Sequence, residues 1–129
     1  RRQRQDVYKR QAPKGWSQLE KNAYLACLLD FYGPLLTPRQ QDLLHLRAEE
    51  DLSLSEIAQA LCVSRQAVSD GLRAAEARLL QLEDKLGLYA RHDRMAQQVQ
   101  RAVRALRQGE QQEALSILMS MEREEEYGI

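Results

Sequence analysis

The fold is decided by residues 52–78, which read LSLSEIAQALCVSRQAVSDGLRAAEAR. This pattern predicts two short helices joined by a tight turn, a helix-turn-helix whose second helix is suited to a DNA major groove. Apolar residues occupy the positions that such a motif buries: Ile57, Ala58, Leu61, Val63, Val68 and Leu72. Polar residues occupy the positions that would face bases and phosphates, and we take them as the candidate nucleic-acid-binding residues: Ser64, Arg65, Gln66, Ser69 and Arg73.

Capping residues fix both helix starts of the motif. Ser53 and Glu56 have the spacing of a capping box, and Ser64 is suited to be the N-cap of the next helix. Only Cys62 and Val63 remain between the two helices, so the chain must turn sharply there. Many such motifs place glycine at the position of Cys62, and we therefore expect a left-handed backbone at this cysteine.

Two helices precede the motif. The first is predicted from about Ser17 to Tyr32, where Gly33 and Pro34 stop it. The second opens at Thr37, a good N-cap, with Pro38 at the first helical position. Gln40 then completes another capping box.

The fourth helix is much longer than a minimal recognition helix. It is predicted to run to Gly87, a span of about 22 residues or roughly 33 Å. Its apolar residues form a seam with heptad-like spacing: Val68, Leu72, Ala75, Leu79, Leu82 and Leu86. This seam either covers the first helix or joins two copies of the chain. The last two helices are a second candidate for a homodimer interface.

A helical extension, residues 88–129, is predicted to pack on the same domain as the helix-turn-helix, residues 16–87. Its first helix carries an apolar stripe that we expect to be buried: Leu88, Met95, Val99, Ala102, Val103 and Leu106. The last helix is expected to bury Leu115, Leu118 and Met121. The first helix of the extension also carries a candidate secondary basic face, formed by Arg91, Arg94, Arg101 and Arg104. This face could bind RNA or an acidic protein, or it could simply be a solvated surface.

The charge distribution argues against strong electrostatic binding by the motif alone. The net charge is zero, but residues 1–15 hold six basic groups and one acid, so the rest of the chain holds 13 basic and 18 acidic groups. Residues 53–80 balance at three basic and three acidic side chains. Because phosphate neutralisation supplies much of the affinity for DNA, binding by this helix should be modest. Two interpretations of Arg65 remain: it contacts a base, or it is a solvated residue next to the helix cap.

The N-terminal residues 1–15, RRQRQDVYKRQAPKG, have no initiating Met and no apolar periodicity. We expect a disordered basic tail that is excluded from the fold. Two interpretations are open. DVYKRQ resembles read-through of a cloning adaptor, whereas the basic groups would also suit a nucleic-acid-binding arm.

No enzyme signature is visible, because the sequence has neither a Gly-rich phosphate loop nor a nucleophile–base motif. The two cysteines, Cys27 and Cys62, are expected to be free, buried thiols, and with His45 and His92 they cannot form a metal site at usual spacings. We therefore expect no catalytic residues, no cofactor and no metal. No apolar run is long enough to cross a membrane and no signal-peptide pattern is present, which predicts a cytoplasmic protein without membrane insertion.

Two segments carry a family resemblance. Residues 22–40 read NAYLACLLDFYGPLLTPRQ, and residues 50–88 read EDLSLSEIAQALCVSRQAVSDGLRAAEARLLQLEDKLGL. Together they resemble the YlxM family of bacterial proteins. More distantly, TPRQQDLL and LSLSEIAQALCVSRQAV are similar to the promoter-reading fourth region of sigma factors. The resemblance implies an all-α, sigma-region-four-like helix-turn-helix protein. The spacing of the apolar residues adds the long fourth helix and the helical C-terminal extension.

The same resemblance implies a regulatory, non-enzymatic role beside the bacterial signal recognition particle. The implied partners are DNA, assumed from the fold, and the GTPase or the RNA of the particle. The motif positions of the family correspond to Ser64, Arg65, Gln66, Ala67 and Val68 in the word SRQAV. The alternative is a protein-interaction adaptor of the GTPase that retains the motif as a scaffold and does not bind DNA.

Overall fold

The structure is a computed structural model that describes residues 15–126. It falls into two compact units, which divide between Gly87 and Leu88. The described residues form six α-helices and no strands, so the predicted all-α fold is confirmed. The predicted tail, apart from Gly15, lies outside the described residues. The helices are α1 Gln18–Tyr32, α2 Pro38–Leu44, α3 Leu54–Leu61, α4 Arg65–Leu86, α5 Leu88–Arg107 and α6 Gln111–Glu126.

Short-range hydrogen bonds at the N-termini define where α1, α2 and α3 begin. Each of the three has a complete capping box, in which the N-cap side chain and the side chain three residues later satisfy each other's backbone N–H. The boxes predicted at Thr37 and Ser53 are confirmed. The box at Ser17 was not predicted, although Glu20 is visible at the required spacing.

An irregular segment joins α2 to α3. A π-helical turn covers His45–Glu49, and Asp51 then takes a left-handed backbone with φ of 55°. The buried Asn22 of α1 donates to the carbonyl oxygen of Arg47 at 3.0 Å and to Oδ1 of Asp51 at 3.2 Å. α1 therefore holds this segment, and with it the start of the helix-turn-helix.

The core of the first unit lies where α4 packs on α1, α2 and α3. The predicted seam of α4 is buried from Val68 to Leu82, and only Leu86, 54% exposed, remains outside. The expectation that the seam covers the first helix is therefore confirmed, and little of it is left for a second copy of the chain. Gly71 permits the close approach of α2, because a Cβ at this position would lie 2.6 Å from Cδ1 of Leu43.

The second unit is a helical hairpin of α5 and α6. Gly109, with φ of 78°, lies in the three-residue connection, which is too short for anything but an antiparallel pair. The helices meet through Ala102, Ala105, Ala114 and Ile117, all buried.

The predicted burial in this second unit was largely wrong. Of the predicted α5 stripe only Ala102 is buried, and Leu115 and Leu118 of α6 are about half exposed. The physical reason is that a two-helix hairpin buries only a narrow strip of each helix, while the apolar stripe seen in the sequence is wider than that strip. The predicted packing of residues 88–129 on the helix-turn-helix unit stays a prediction.

Candidate nucleic-acid interface

The turn of the helix-turn-helix has the predicted left-handed residue. Cys62 has φ of 57° and ψ of 44°, and its N–H bonds back to the carbonyl oxygens of Ala58 and Gln59. Val63 N–H also donates to Ala58 at 3.0 Å, so α3 closes before the chain reverses. The thiol of Cys62 is exposed, which corrects the expectation of a buried cysteine. Cys27 is half-buried, and both thiols lie outside any disulfide.

Ser64 sets the start of α4. Its Oγ accepts from the N–H of Ala67 at 3.0 Å, and its carbonyl accepts from Val68 at 3.1 Å. Ile57 and Val68 are fully buried beneath the turn and fix the two helices against each other. As a result, the first turn of α4 leaves Arg65 and Gln66 exposed to solvent.

The predicted site residues share one face of α4 but have two different surroundings. Positions 65, 66, 69 and 73 fall within about 100° of one another around the helix. Ser64, Arg65 and Gln66 are exposed at its N-terminal end, whereas Ser69 and Arg73 line a polar cleft farther along.

The side chain of Gln66 forms a hydrogen bond within its own helix. Its Nε2 donates to Oδ1 of Asp70, one turn later, at 2.9 Å. Bidentate recognition of adenine requires both the donor and the acceptor of the amide, so the bond to Asp70 competes with base reading by Gln66. Asp70 also brings a negative charge to the face that would approach phosphates.

The polar cleft, which we call the basic cleft, draws its residues from several elements. Three of its charged residues are basic and one is acidic, and Lys21 Nζ lies 3.3 Å from Oε2 of Glu76. Arg47 donates from Nη1 to the carbonyl oxygen of Leu52 at 2.8 Å. This bond holds the Arg47 side chain close to the N-terminus of α3. The lining residues are Gln18, Lys21, Arg47, Leu54, Ser69, Leu72, Arg73 and Glu76.

Sequence reasoning missed Lys21 and Arg47. Both lie outside the motif, and no spacing in the sequence connects either of them with Arg73. They reach the cleft only because α1 packs along α4 and because Asn22 holds the π-helical turn. The cleft is therefore more basic than the motif considered alone.

The four arginines of the predicted secondary basic face line two different clefts of the hairpin. Arg91 and Arg94 line a cleft of the hairpin together with Glu122 and Glu124. Arg101 and Arg104 line another cleft together with Glu110 and Glu113. The arginines of α5 thus share their surroundings with the glutamates at or near α6, which reduces their attraction for a polyanion.

Residues 15–126 contain neither a candidate metal site nor a membrane-spanning helix. Within residues 15–126, no group of three or more His, Cys, Asp or Glu side chains could hold a metal ion. No helix in the same range is long and apolar enough to span a bilayer.

Comparison with known families places most of the chain in one group. The sequence model of a family described as "Putative helix-turn-helix protein, YlxM / p13 like" matches residues 19–118. This range includes the helix-turn-helix, all of α5 and the first half of α6.

Similar proteins occur in several bacteria. A UPF0122 protein of Symbiobacterium thermophilum is 54% identical over 70 residues, which cover 54% of this chain and 65% of that protein. A UPF0122 protein of Geobacillus kaustophilus is 47% identical over 83 residues, covering 64% of this chain and 76% of the relative. One from Limosilactobacillus reuteri is 44% identical over 91 residues, or 70% of this chain and 80% of its own length.

Proposed function

Because the chain belongs to the YlxM / p13-like family of helix-turn-helix proteins, we propose that it is a non-enzymatic regulatory protein that binds duplex DNA. The observation that carries this proposal is the basic cleft, where Lys21 and Arg47 join Arg73 beside the predicted recognition helix. Work beside the signal recognition particle is the finer part of the proposal and is supported by the family resemblance.

The first turn of α4 would enter the major groove. Arg65 is exposed there and can present its guanidinium to the O6 and N7 atoms of guanine. The hydroxyl of Ser64 caps the helix as an acceptor, which leaves its proton available for a phosphate oxygen.

The basic cleft would follow the phosphate backbone next to that groove. Ser69 and Arg73 belong to the same face of α4 as Arg65, so a duplex that contacts Arg65 also passes the cleft. The Lys21 side chain is 50% exposed and its ion pair with Glu76 is therefore weak. Little free energy is therefore lost when the Lys21 ammonium leaves Glu76 and contacts a phosphate instead.

The decisive experiment measures affinity for duplex DNA as a function of salt, by fluorescence anisotropy. We expect affinity to fall steeply with salt, and Arg65→Ala combined with Arg73→Ala to weaken binding strongly. Lys21→Ala should reduce the slope of log affinity against log salt by about 1, because one phosphate contact is lost. Arg78→Ala is the matched control, since Arg78 lies on the same helix but outside the cleft. No binding to any duplex at low salt would reject the proposal.

A second function is favoured by one specific observation. The Asp70 carboxylate accepts a hydrogen bond from the Gln66 amide and places a negative charge at the edge of the proposed reading face. This would suit a protein-interaction adaptor of the signal recognition particle GTPase that keeps the motif as a scaffold. A pull-down with the tagged chain, scored for the GTPase, the particle RNA and bulk DNA, separates the two functions. Retention of the GTPase alone, unchanged by Arg65→Ala and Arg73→Ala, would favour the adaptor.

A further inference from the structure

The segment between α2 and α3 bends at a left-handed residue that is not glycine. Asp51 has φ of 55°, a backbone conformation that costs free energy for a residue with a Cβ. The π-helical turn just before it, His45–Glu49, is itself a rare helical form. Irregularities of this kind are concentrated at functional sites, and this one contains Arg47, a residue of the basic cleft.

Hydrogen bonds hold both the side chain and the backbone of Arg47 at this bend. Its guanidinium donates to the carbonyl oxygen of Leu52, the residue after Asp51, at 2.8 Å. Its own carbonyl oxygen accepts from Nδ2 of Asn22 at 3.0 Å. The N–H of Leu52 also donates to the carbonyl oxygen of Leu46 at 3.0 Å, which closes the bend. The direction of the Arg47 side chain therefore depends on the shape of this bend.

Asn22 is the buried centre of the arrangement, at 3% exposure. Its Nδ2 donates to Oδ1 of Asp51 at 3.2 Å as well as to Arg47, so both N–H groups of the amide are used. Its Oδ1 accepts from Nε2 of Gln18 at 2.7 Å, which fixes the orientation of the amide. Without the Asp51 carboxylate, one N–H of this buried amide would lose its acceptor, which is costly inside a protein.

We propose that Asp51 and Asn22 are positioning residues for DNA binding, which together hold Arg47 so that its guanidinium meets a phosphate in the basic cleft. We call Asn22, Asp51 and Leu52 the Arg47 clamp. This inference rests on the proposed binding of duplex DNA. The bond to Leu52 uses one of the five N–H groups of the guanidinium, and others can donate to a phosphate oxygen. Asp51 lies outside the lining of the cleft and acts through Arg47.

Two substitutions of Asp51 separate its hydrogen bond from its charge and its backbone. Asp51→Asn and Asp51→Gly remove the same negative charge, and both asparagine and glycine tolerate a left-handed backbone. Only asparagine keeps an oxygen that can accept from Asn22. Because Asp51 is exposed, neither substitution changes the core. The two variants therefore differ chiefly in the bond to Asn22.

The first test measures binding of a labelled duplex of mixed sequence by fluorescence anisotropy across a salt series. Asp51→Asn should bind at least as tightly as wild type, because it keeps the clamp and removes a negative charge. Asp51→Gly should bind roughly five- to tenfold more weakly than Asp51→Asn at about 0.1 M salt, and its slope of log affinity against log salt should be smaller by about 1. In a background of Arg47→Ala, the asparagine and glycine variants should bind equally.

Three outcomes would contradict the inference. Equal salt slopes for Asp51→Asn and Asp51→Gly would overturn it, and so would a difference between them that persists in the Arg47→Ala background. Both results leave DNA binding itself intact. A wild-type chain that binds no duplex at low salt would instead reject the proposed DNA binding, and this inference with it.

The second test examines the clamp without DNA, through amide hydrogen exchange measured by NMR. The Leu52 amide is bonded to Leu46, so its protection factor reports whether the bend is closed. Asp51→Gly should lower this protection factor several-fold, whereas Asp51→Asn should keep it. The Val63 amide, bonded to Ala58 in the turn of the helix-turn-helix, is the internal reference and should be unchanged in both variants. Equal protection of Leu52 in the two variants would show that the bend does not need the side-chain acceptor, which would also overturn the proposal.

Discussion

The hydroxyl of Tyr32 donates a hydrogen bond of 2.6 Å to Oε1 of Glu83 inside the first unit. Both residues are buried, at 0% and 3% exposure. The bond joins the last residue of α1 to the last turn of α4, 51 positions later in the chain. Because a buried carboxyl group without a hydrogen-bond donor is costly, this pair fixes how α1 lies along α4. That packing also brings Lys21 to the basic cleft.

Removal of this donor should destabilise the protein. Tyr32→Phe leaves the Glu83 carboxyl without the phenol, and we expect the free energy of unfolding in urea to fall by about 1–3 kcal/mol. In a double-mutant cycle with Glu83→Leu, the two losses should be clearly less than additive. Full additivity would show that the two side chains act independently.

The left-handed backbone of Cys62 predicts a gain in stability from glycine. Cys62→Gly removes the strain of a Cβ at φ of 57°, a gain of up to about 1 kcal/mol that the flexibility of glycine in the unfolded chain partly offsets. The expected result is a neutral or slightly increased free energy of unfolding. Cys62→Ala keeps the strain and should show no gain. A loss above about 1 kcal/mol for the glycine variant would mean that the thiol contributes useful packing.

Local patterns of the sequence were sufficient for much of this fold. The caps at Thr37, Ser53 and Ser64 and the left-handed Cys62 depend on neighbours within a few residues, and the structure has them as predicted. Contacts between distant segments could not be predicted from local patterns. Glu83 looks like one more surface charge of α4 until Tyr32 is placed beside it.

The candidate site shows the same limit. Exposure of Arg65 and Gln66 followed from helical spacing, but the bond from Gln66 to Asp70 and the approach of Lys21 and Arg47 depend on side-chain and tertiary geometry. In the hairpin the sequence correctly indicates apolar stripes. It does not tell whether each stripe is covered by the same chain or by another, because both arrangements require the same residues.

The capping box at α3 predicts a pH-dependent helix start. The pKa of Glu56 lies below its usual value of 4.5 because its carboxylate accepts a hydrogen bond from the backbone N–H of Ser53, and secondarily from the Ser53 side chain. A lowered pKa in the folded state stabilises the protein above the unfolded pKa, and this contribution is lost as the pH falls through the folded pKa. As the pH falls through and below 4.5, wild type should therefore lose more stability than Glu56→Gln, which retains a capping side chain but does not titrate. Equal losses for the two proteins would show that the Glu56 bond does not contribute.

The bond between Gln66 and Asp70 makes a prediction that rests on the proposed DNA binding. Asp70→Ala releases the Gln66 amide and removes one negative charge from the reading face, so affinity for duplex DNA should rise. A gain of about 1 kcal/mol would correspond to a roughly fivefold lower Kd. Asp30→Ala is the matched control, because it removes an exposed aspartate from α1, outside the lining of the cleft.

Combining Asp70→Ala with Gln66→Ala separates the two causes of the expected gain in affinity. If only the charge matters, the gain persists. If the freed amide reads a base, the gain is largely lost. An unchanged affinity for Asp70→Ala, measured at low salt where charge effects are largest, would exclude this face of α4 from the DNA contact.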